Sequence, residues 1–255
     1  MFHVREAGHG PVVLLIHGGA EDAGMLDGIG QALAGRGFRA IWYDRRGTGG
    51  STRADWPGDG ADQHADDALA ILRSRDAVGG TVMGFSSGGV VALALAERHP
   101  AAAAEVIAWE PAALGMLPGA AEIQAGLMAP IEEYLAANPG DWVGGFHTML
   151  GVLSEGRADL SDPAVKLMEP NAEAALRDDG PLITARGFES LPQGLVTVAT
   201  SRDPNPLHAQ IADRLAPLTG NPVSVVEAAD DHEIYVKAPA ILADWLASRS
   251  NPQQH

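Results

Sequence analysis

GTVMGFSSGGVVALALAERH, residues 80–99, runs from a short apolar-leaning segment through Gly84-Phe85-Ser86-Ser87-Gly88 into an Ala/Leu/Val-rich stretch. Thr81 to Gly84 predict the end of a strand, and the residues after Gly88 predict a helix to about His99. Gly-x-Ser-x-Gly between a strand and a helix is the context of a nucleophile elbow. The spacing has a steric reason. A serine on so sharp a turn has a strained backbone, so the residues two before and two after it must be small. Gly84 and Gly88 hold those places, and Gly89 adds clearance. Ser86 Oγ is then expected above the sheet, with the Ser87 N–H facing it at the helix N-terminus. A Gly/Ser-rich turn that only joins a strand to a helix has the same letters. The rest of the chain has to decide between the two.

Outward from the elbow, strands and helices alternate. Val12 to Ile16 is a continuous apolar run, as in a strand buried on both faces, and ends in His17-Gly18-Gly19. Phe2 to Glu6 predicts one short leading strand. Met25 to Leu33 has helical spacing and is stopped by Gly35 and Gly37. Phe38 to Tyr43 is the next strand, followed by Asp44-Arg45-Arg46-Gly47-Thr48-Gly49-Gly50-Ser51. Asp55 to Gly60 is a Pro/Gly loop, and Asp62 to Ser74 a helix. After the elbow, Glu105 to Trp109 is a strand ending at Glu110-Pro111. Leu195 to Thr200 and Val223 to Glu227 are the last strands, separated by a helix over Pro206 to Leu215. Ile234 to Ser248 predicts one closing helix, and Ser250 to His255 a frayed tail. Between Ala112 and Gln193 the rhythm changes to short helical stretches: Ala120 to Leu127, Pro130 to Ala137, Asp141 to Leu153, Pro163 to Met168 and Asn171 to Arg177. The expectation is a core domain of residues 1–111 and 194–255, with residues 112–193 inserted as a helical lid.

Such alternation predicts an α/β fold, a mostly parallel sheet with helices on both faces. Ligands then sit beyond the carboxyl ends of the strands. His17-Gly18-Gly19, Asp44, Ser86, Glu110, Asp203 and His232 each lie just past a predicted strand. A serine hydroxyl needs a histidine to take its proton, and the histidine needs an acid to fix its tautomer. Of the nine histidines, His232 follows the last strand and precedes the last helix. His17 reads as structural, and His147 lies in the insertion. His3, His9, His64, His99, His208 and His255 have surface-like contexts. Asp44 reads as a tie for the Arg46-Gly47 turn.

These parts, in this order, resemble the α/β-hydrolase family along nearly the whole chain: His17-Gly18-Gly19, the segment Asp44 to Ser51, the elbow Gly84 to Gly88, and His232. The resemblance implies an α/β-hydrolase fold. It implies an oxyanion hole from the N–H groups of Gly19 and Ser87, and the family's order of serine, acid, histidine. It leaves two acids open. Asp203, in Thr200-Ser201-Arg202-Asp203-Pro204, has the usual family position; it could equally cap the helix that follows. Glu110, in Ile107-Ala108-Trp109-Glu110-Pro111, resembles the glutamate of a subgroup that includes zearalenone lactonase, as do the Ser-Ser-Gly of the elbow and the Glu-Pro pair. Two features depart from the pattern. The leading edge of the sheet is trimmed, and Asp231 stands before His232 where a small residue is usual.

Composition bounds the alternatives. The net charge is −16, from 33 acidic and 17 basic residues, and no basic cluster offers a nucleic acid or anionic membrane a surface. With no cysteine there is neither a disulfide nor a thiolate metal site. No histidine pair has zinc spacing. The Gly47 to Gly50 stretch lacks the lysine and spacing of a phosphate loop, so no cofactor is expected. Serine rather than aspartate at the elbow speaks against dehalogenase or epoxide hydrolase chemistry. No segment has the length of a membrane span, and a cytoplasmic location is expected. The expected activity is hydrolysis of a carboxylic ester or lactone of a small apolar molecule through an acyl-enzyme. Trp142, Phe146, His147 and Met149 are candidates for the substrate pocket. A C–C bond hydrolase, a thioesterase, a cofactor-free peroxidase or a non-enzymatic ligand receptor are the alternatives on this frame. Oligomeric state is not legible.

Overall fold

The alternation in the sequence becomes a seven-stranded sheet in the order β1-β3-β2-β4-β5-β6-β7. The strands are β1 (Val4–Ala7), β2 (Val12–Ile16), β3 (Arg39–Tyr43), β4 (Gly80–Phe85), β5 (Ala103–Trp109), β6 (Val196–Ser201) and β7 (Ser224–Val226). Only β1 is antiparallel, paired with β3; the other pairs are parallel. This is the α/β-hydrolase fold. The computed structural model describes residues 1–52, 60–154 and 156–250. The loop expected at 55–60 and the tail expected at 250–255 therefore lie, save for their residues 60 and 250, outside the described residues.

Strand side chains alternate between faces, and here both faces are covered. Leu14, Ile16, Ile41, Tyr43 and Val82 join one apolar cluster. It includes residues of α2 (Ala61–Ser74), α3 (Ser87–Arg98) and α8 (Pro206–Thr219). Val13, Leu15, Trp42, Met83 and Phe85 join the other, with residues of α1 (Asp27–Ala34), α9 (Ile234–Lys237) and α10 (Pro239–Ser250). That is why the strands read as unbroken apolar runs. Burying one such side chain stabilises the fold by roughly 1.5–3 kcal/mol.

Between β5 and β6 the chain forms α4 (Ala120–Ala137), α5 (Trp142–Leu153), α6 (Pro163–Met168), α7 (Ala172–Ala174) and a π-helix (Ala175–Ile183). Two expectations fail at prolines, in opposite ways. Pro130 was expected to divide two helices, but α4 runs through it. Its only buried residue is Ile131, and Gly126, whose carbonyl loses its partner at Pro130, is exposed to water. The single closing helix instead breaks at Ala238, with φ −144 and ψ 65, before Pro239. A residue before proline is pushed out of the helical region, and proline is favoured at a helix's first position. The helix expected over Asn171 to Arg177 is α7 continued by the π-helix.

Candidate active site

Ser86 lies at the end of β4 with φ 53 and ψ −118, a positive φ that side chains rarely adopt. Close packing holds it there. A Cβ on Gly84 would lie 2.1 Å from the Gly88 carbonyl oxygen, and one on Gly88 would lie 2.3 Å from that of Ile16. The Ser86 N–H donates to the Trp109 carbonyl at 3.0 Å, and the Ser86 carbonyl accepts from Gly89 and Ala112. Ser87 opens α3, so its N–H belongs to the unpaired first turn of the helix. Ser86 Oγ has no hydrogen-bond partner among the described residues. Such contacts often close only when substrate is bound.

The next strand brings an acid to the same edge. Glu110 follows β5, also with a positive φ, and is wholly buried. Its Oε2 accepts from His232 Nδ1 at 2.7 Å. Its Oε1 accepts from the Ser201 N–H at 2.8 Å and the Ser201 hydroxyl at 2.5 Å. With Nδ1 donating, His232 Nε2 is left as an acceptor. The Trp109 indole N–H holds the His232 carbonyl at 2.9 Å. Asp203 is not part of this group. It is exposed, in the loop beyond β6, and makes no hydrogen bond or ion pair among the described residues. Nor does it cap α8; Asn205 does, accepting from the N–H groups of Leu207 and His208. Asp231 accepts from the Glu233 N–H and from Lys237 Nζ, so it braces the turn after His232.

His208, expected at the surface, is buried and stacks on His232 with ring centroids 4.5 Å apart and planes 21° apart. Its Nδ1 is 3.3 Å from Glu110 Oε2, outside hydrogen-bonding angles. The three groups do not fit a metal ion. Stacked rings direct their in-plane lone pairs alongside each other, so a cation between them lies off both planes. His64 is likewise buried rather than exposed.

Burial pushes the Glu110 carboxyl up, but His208, His232 and the two Ser201 donors outweigh it and hold it well below the usual carboxylate range. A folded value below the unfolded value of about 4.3 means that ionised Glu110 stabilises the fold at neutral pH. That contribution is lost as pH falls below about 4 toward the folded value. The stability gap between wild type and Glu110→Gln is therefore expected to be widest near neutrality and to narrow toward pH 3, read by urea unfolding at each pH. A constant gap overturns the assignment.

The loop after β2 reaches the same edge. His17 is buried; burial and then Arg45 press its pKa well below the ordinary value, so the ring is neutral. Its Nδ1–H donates to the Gly18 carbonyl at 2.8 Å, and Nε2 accepts from the Arg45 N–H at 3.0 Å. The Gly18 N–H donates to Glu21 Oε2 at 2.7 Å. Glu21 Oε1 accepts from the Tyr235 hydroxyl, whose ring stacks on Phe85. Burial raises the Glu21 pKa against these donors. The Gly19 N–H makes no hydrogen bond among the described residues. A Cβ on Gly19 would lie 3.6 Å from Ser87 Oγ, which brings the two expected oxyanion donors into one corner.

Phe146 is buried in a cluster with Ala20, Val165, Ala172 and Ala175, and Trp142 and Met149 pack at its edge. The inserted helices thus rest on the residue after Gly19. His147 turns away to Glu169 Oε1 at 2.8 Å. Asp44 holds the loop of the Arg46-Gly47 turn through the Gly50 N–H, and also takes the Ala23 N–H and His3 Nδ1. His208, Glu21, Arg45, Asp179, Ser201 and Tyr235 escaped the sequence reading. Of these, Arg45, in the run after β3, and Ser201, at the end of β6, stood where ligand-facing residues were sought.

A family model described as the alpha/beta hydrolase fold matches residues 11–129. The Uncharacterized hydrolase YraK of Bacillus subtilis (strain 168) is 36% identical over 118 residues, 46% of this chain and 43% of that protein. The Bifunctional esterase/perhydrolase DCH of Acinetobacter calcoaceticus is 32% identical over 90 residues, 35% of this chain and 32% of that protein. The matched stretches thus span less than half the length of these relatives. A hydrolase from Oleispira antarctica superposes with a TM-score of 0.72 at 14% identity, covering 98% of this chain and 94% of that one. These matches show the alpha/beta hydrolase fold. Among the described residues no helix is long and apolar enough to cross a membrane.

Proposed function

We propose that this chain, folded as an alpha/beta hydrolase, is a serine hydrolase acting on a carboxylic ester or lactone of a small, fairly apolar molecule. The observation that carries the reading is the 2.7 Å bond from His232 Nδ1 to buried Glu110, on the strand next to the strained Ser86. Ser86 Oγ attacks the carbonyl carbon and gives its proton to His232 Nε2. Glu110 holds the imidazole in the tautomer that can accept it and stabilises the imidazolium. The N–H groups of Gly19 and Ser87 receive the oxyanion. His232 then returns the proton to the leaving alcohol. In a second round it activates the water that frees the acid from Ser86. For a lactone, the alcohol and the acid leave as one molecule.

The helices of residues 112–193 serve in this proposal as a lid, with Trp142 and Met149 lending apolar surface while the buried Phe146 packs the lid onto Ala20. The Glu-Pro pair at Glu110-Pro111 favours a relation to the lactonase-like subgroup. The esterase named among the relatives agrees with ester chemistry.

Intact mass and peptide mapping after exposure to a fluorophosphonate test the reading. The expected result is one adduct, on Ser86, that is lost in His232→Ala. A folded protein that takes no adduct overturns the activated serine, and a ligand-binding scaffold becomes the better description.

A further inference from the structure

We infer that Asp179, on the π-helix of the inserted segment, sets the direction of the Gly19 N–H by holding Arg45 against the Gly18 carbonyl. The inference rests on the serine-hydrolase reading for its consequence, and on geometry for its cause.

The Gly18–Gly19 peptide is planar and trans, so its C=O and its N–H point in opposite directions. Whatever grips the Gly18 oxygen therefore aims the Gly19 N–H. The grip matters because glycine on both sides leaves the peptide free to rotate as a unit. Two donors supply it: His17 Nδ1 at 2.8 Å and Arg45 Nη2 at 2.8 Å. Arg45 also donates through Nε to the His17 carbonyl at 3.2 Å.

Arg45 is itself held from across the molecule. Its side chain is 1% exposed, and Asp179, 5% exposed, takes it in a two-point bond, Nη1 to Oδ1 at 2.5 Å and Nη2 to Oδ2 at 2.8 Å. The planar fork suits this bidentate contact and leaves Nη2 shared with Gly18. A Cβ on Gly19 would lie 3.7 Å from Asp179 Oδ2, so the carboxylate borders the oxyanion corner. A buried guanidinium that loses a buried carboxylate is poorly solvated and shifts to find another partner. The Gly18 oxygen then loses one of its two donors, and the Gly19 N–H turns off its target. Asp179 and Arg45 are thus positioning residues.

A second tie between the segment and the core separates this role from simple anchoring. Asn171 accepts from the Gly49 N–H at 2.9 Å and donates to Asp22 Oδ2 at 3.3 Å, away from Gly18. The test compares Asp179→Asn with Asn171→Ala in the full chain, using p-nitrophenyl acetate and amide NMR of protein labelled with 15N and 13C. Removing one oxyanion donor costs about 10²–10³ in kcat, and a misdirected one costs less. Asp179→Asn is expected to lower kcat by roughly 10- to 100-fold with KM within about 3-fold. It is also expected to move the Gly18 carbonyl and Gly19 amide signals, while Asn171→Ala changes neither readout.

Unchanged kcat in Asp179→Asn overturns the inference, as does the same loss in Asn171→Ala. Unmoved Gly18 and Gly19 signals overturn it whether or not the protein cleaves esters. A wild type that turns over no ester refutes the serine-hydrolase reading alone, and the NMR comparison still decides the positioning. Should Asp179→Asn not fold, Arg45→Lys carries the same comparison, since an ammonium keeps the charge but not the fork.

Discussion

Ser86→Ala is expected to remove ester turnover by roughly 10⁴- to 10⁶-fold while leaving the fold intact, the range reported by removal of a nucleophile whose partners act as a unit. Alanine keeps the Cβ that already occupies the positive-φ position, so no new backbone strain arises. The hydrogen bonds that Ser86 makes at the turn use its backbone: its N–H to Trp109, its carbonyl to Gly89, Val90 and Ala112. The lost atom has no hydrogen-bond partner among the described residues. Matched circular dichroism and melting curves, beside a stopped-flow assay with an activated ester, check both halves. Ester hydrolysis surviving near the wild-type rate in the folded variant contradicts the proposal. Such a result would move the chemistry to another group at this strand edge.

The second large effect separates the two carboxylates that the sequence left open. Glu110→Gln is expected to lower kcat by about 10⁴-fold, the cost of losing the orienting acid in serine proteases. The amide has no charge to set against the imidazolium, and its NH₂ group can hold the wrong tautomer. Asp203→Asn is expected to stay within about 2-fold of wild type, because substitutions on an exposed, uncontacted side chain rarely have large effects. Steady-state kinetics on the same ester decide it. A loss in Asp203→Asn equal to that in Glu110→Gln contradicts the arrangement described here. The Glu110 result also separates a catalytic effect from a folding one: below about pH 4 the stability gap closes while the kinetic gap at neutral pH remains.

The sheet was legible because its strands are buried on both faces. Val12–Ile16 is continuous and apolar in the sequence, and the strand found there has the same bounds. The elbow was legible because its glycines are a local requirement, a matter of atoms within a few residues of Ser86. Helix boundaries were less so. A proline's effect depends on what its turn faces, which is why Pro130 passes unnoticed on an exposed helix and Pro239 starts a new one. Long-range polar partners were not legible at all. Asp179 is one of 33 acidic residues and meets Arg45 across 134 positions; only the fold brings them together. His208 was passed over because a histidine at the start of a helix usually meets water. Here β6 and the turn of His232 close over it. Between Glu110 and Asp203, strand ends alone did not discriminate, since both lie beyond neighbouring parallel strands. The deciding bonds come from Ser201 and His232, and Ser201 carries no motif.

β4 and β5 are hydrogen-bonded neighbours, with Phe85 paired to Trp109, and the Ser86 N–H is fastened to the Trp109 carbonyl. Ser86 and Glu110 therefore ride on a single block at the centre of the molecule. His232 alone belongs to a separate turn, fixed by the Trp109 indole, the Glu110 carboxylate and the brace at Asp231. On heating, that turn is expected to loosen before the central strands. Ester turnover is then expected to fade below the melting temperature and to return on cooling, read by an activity assay and circular dichroism over the same temperature ramp.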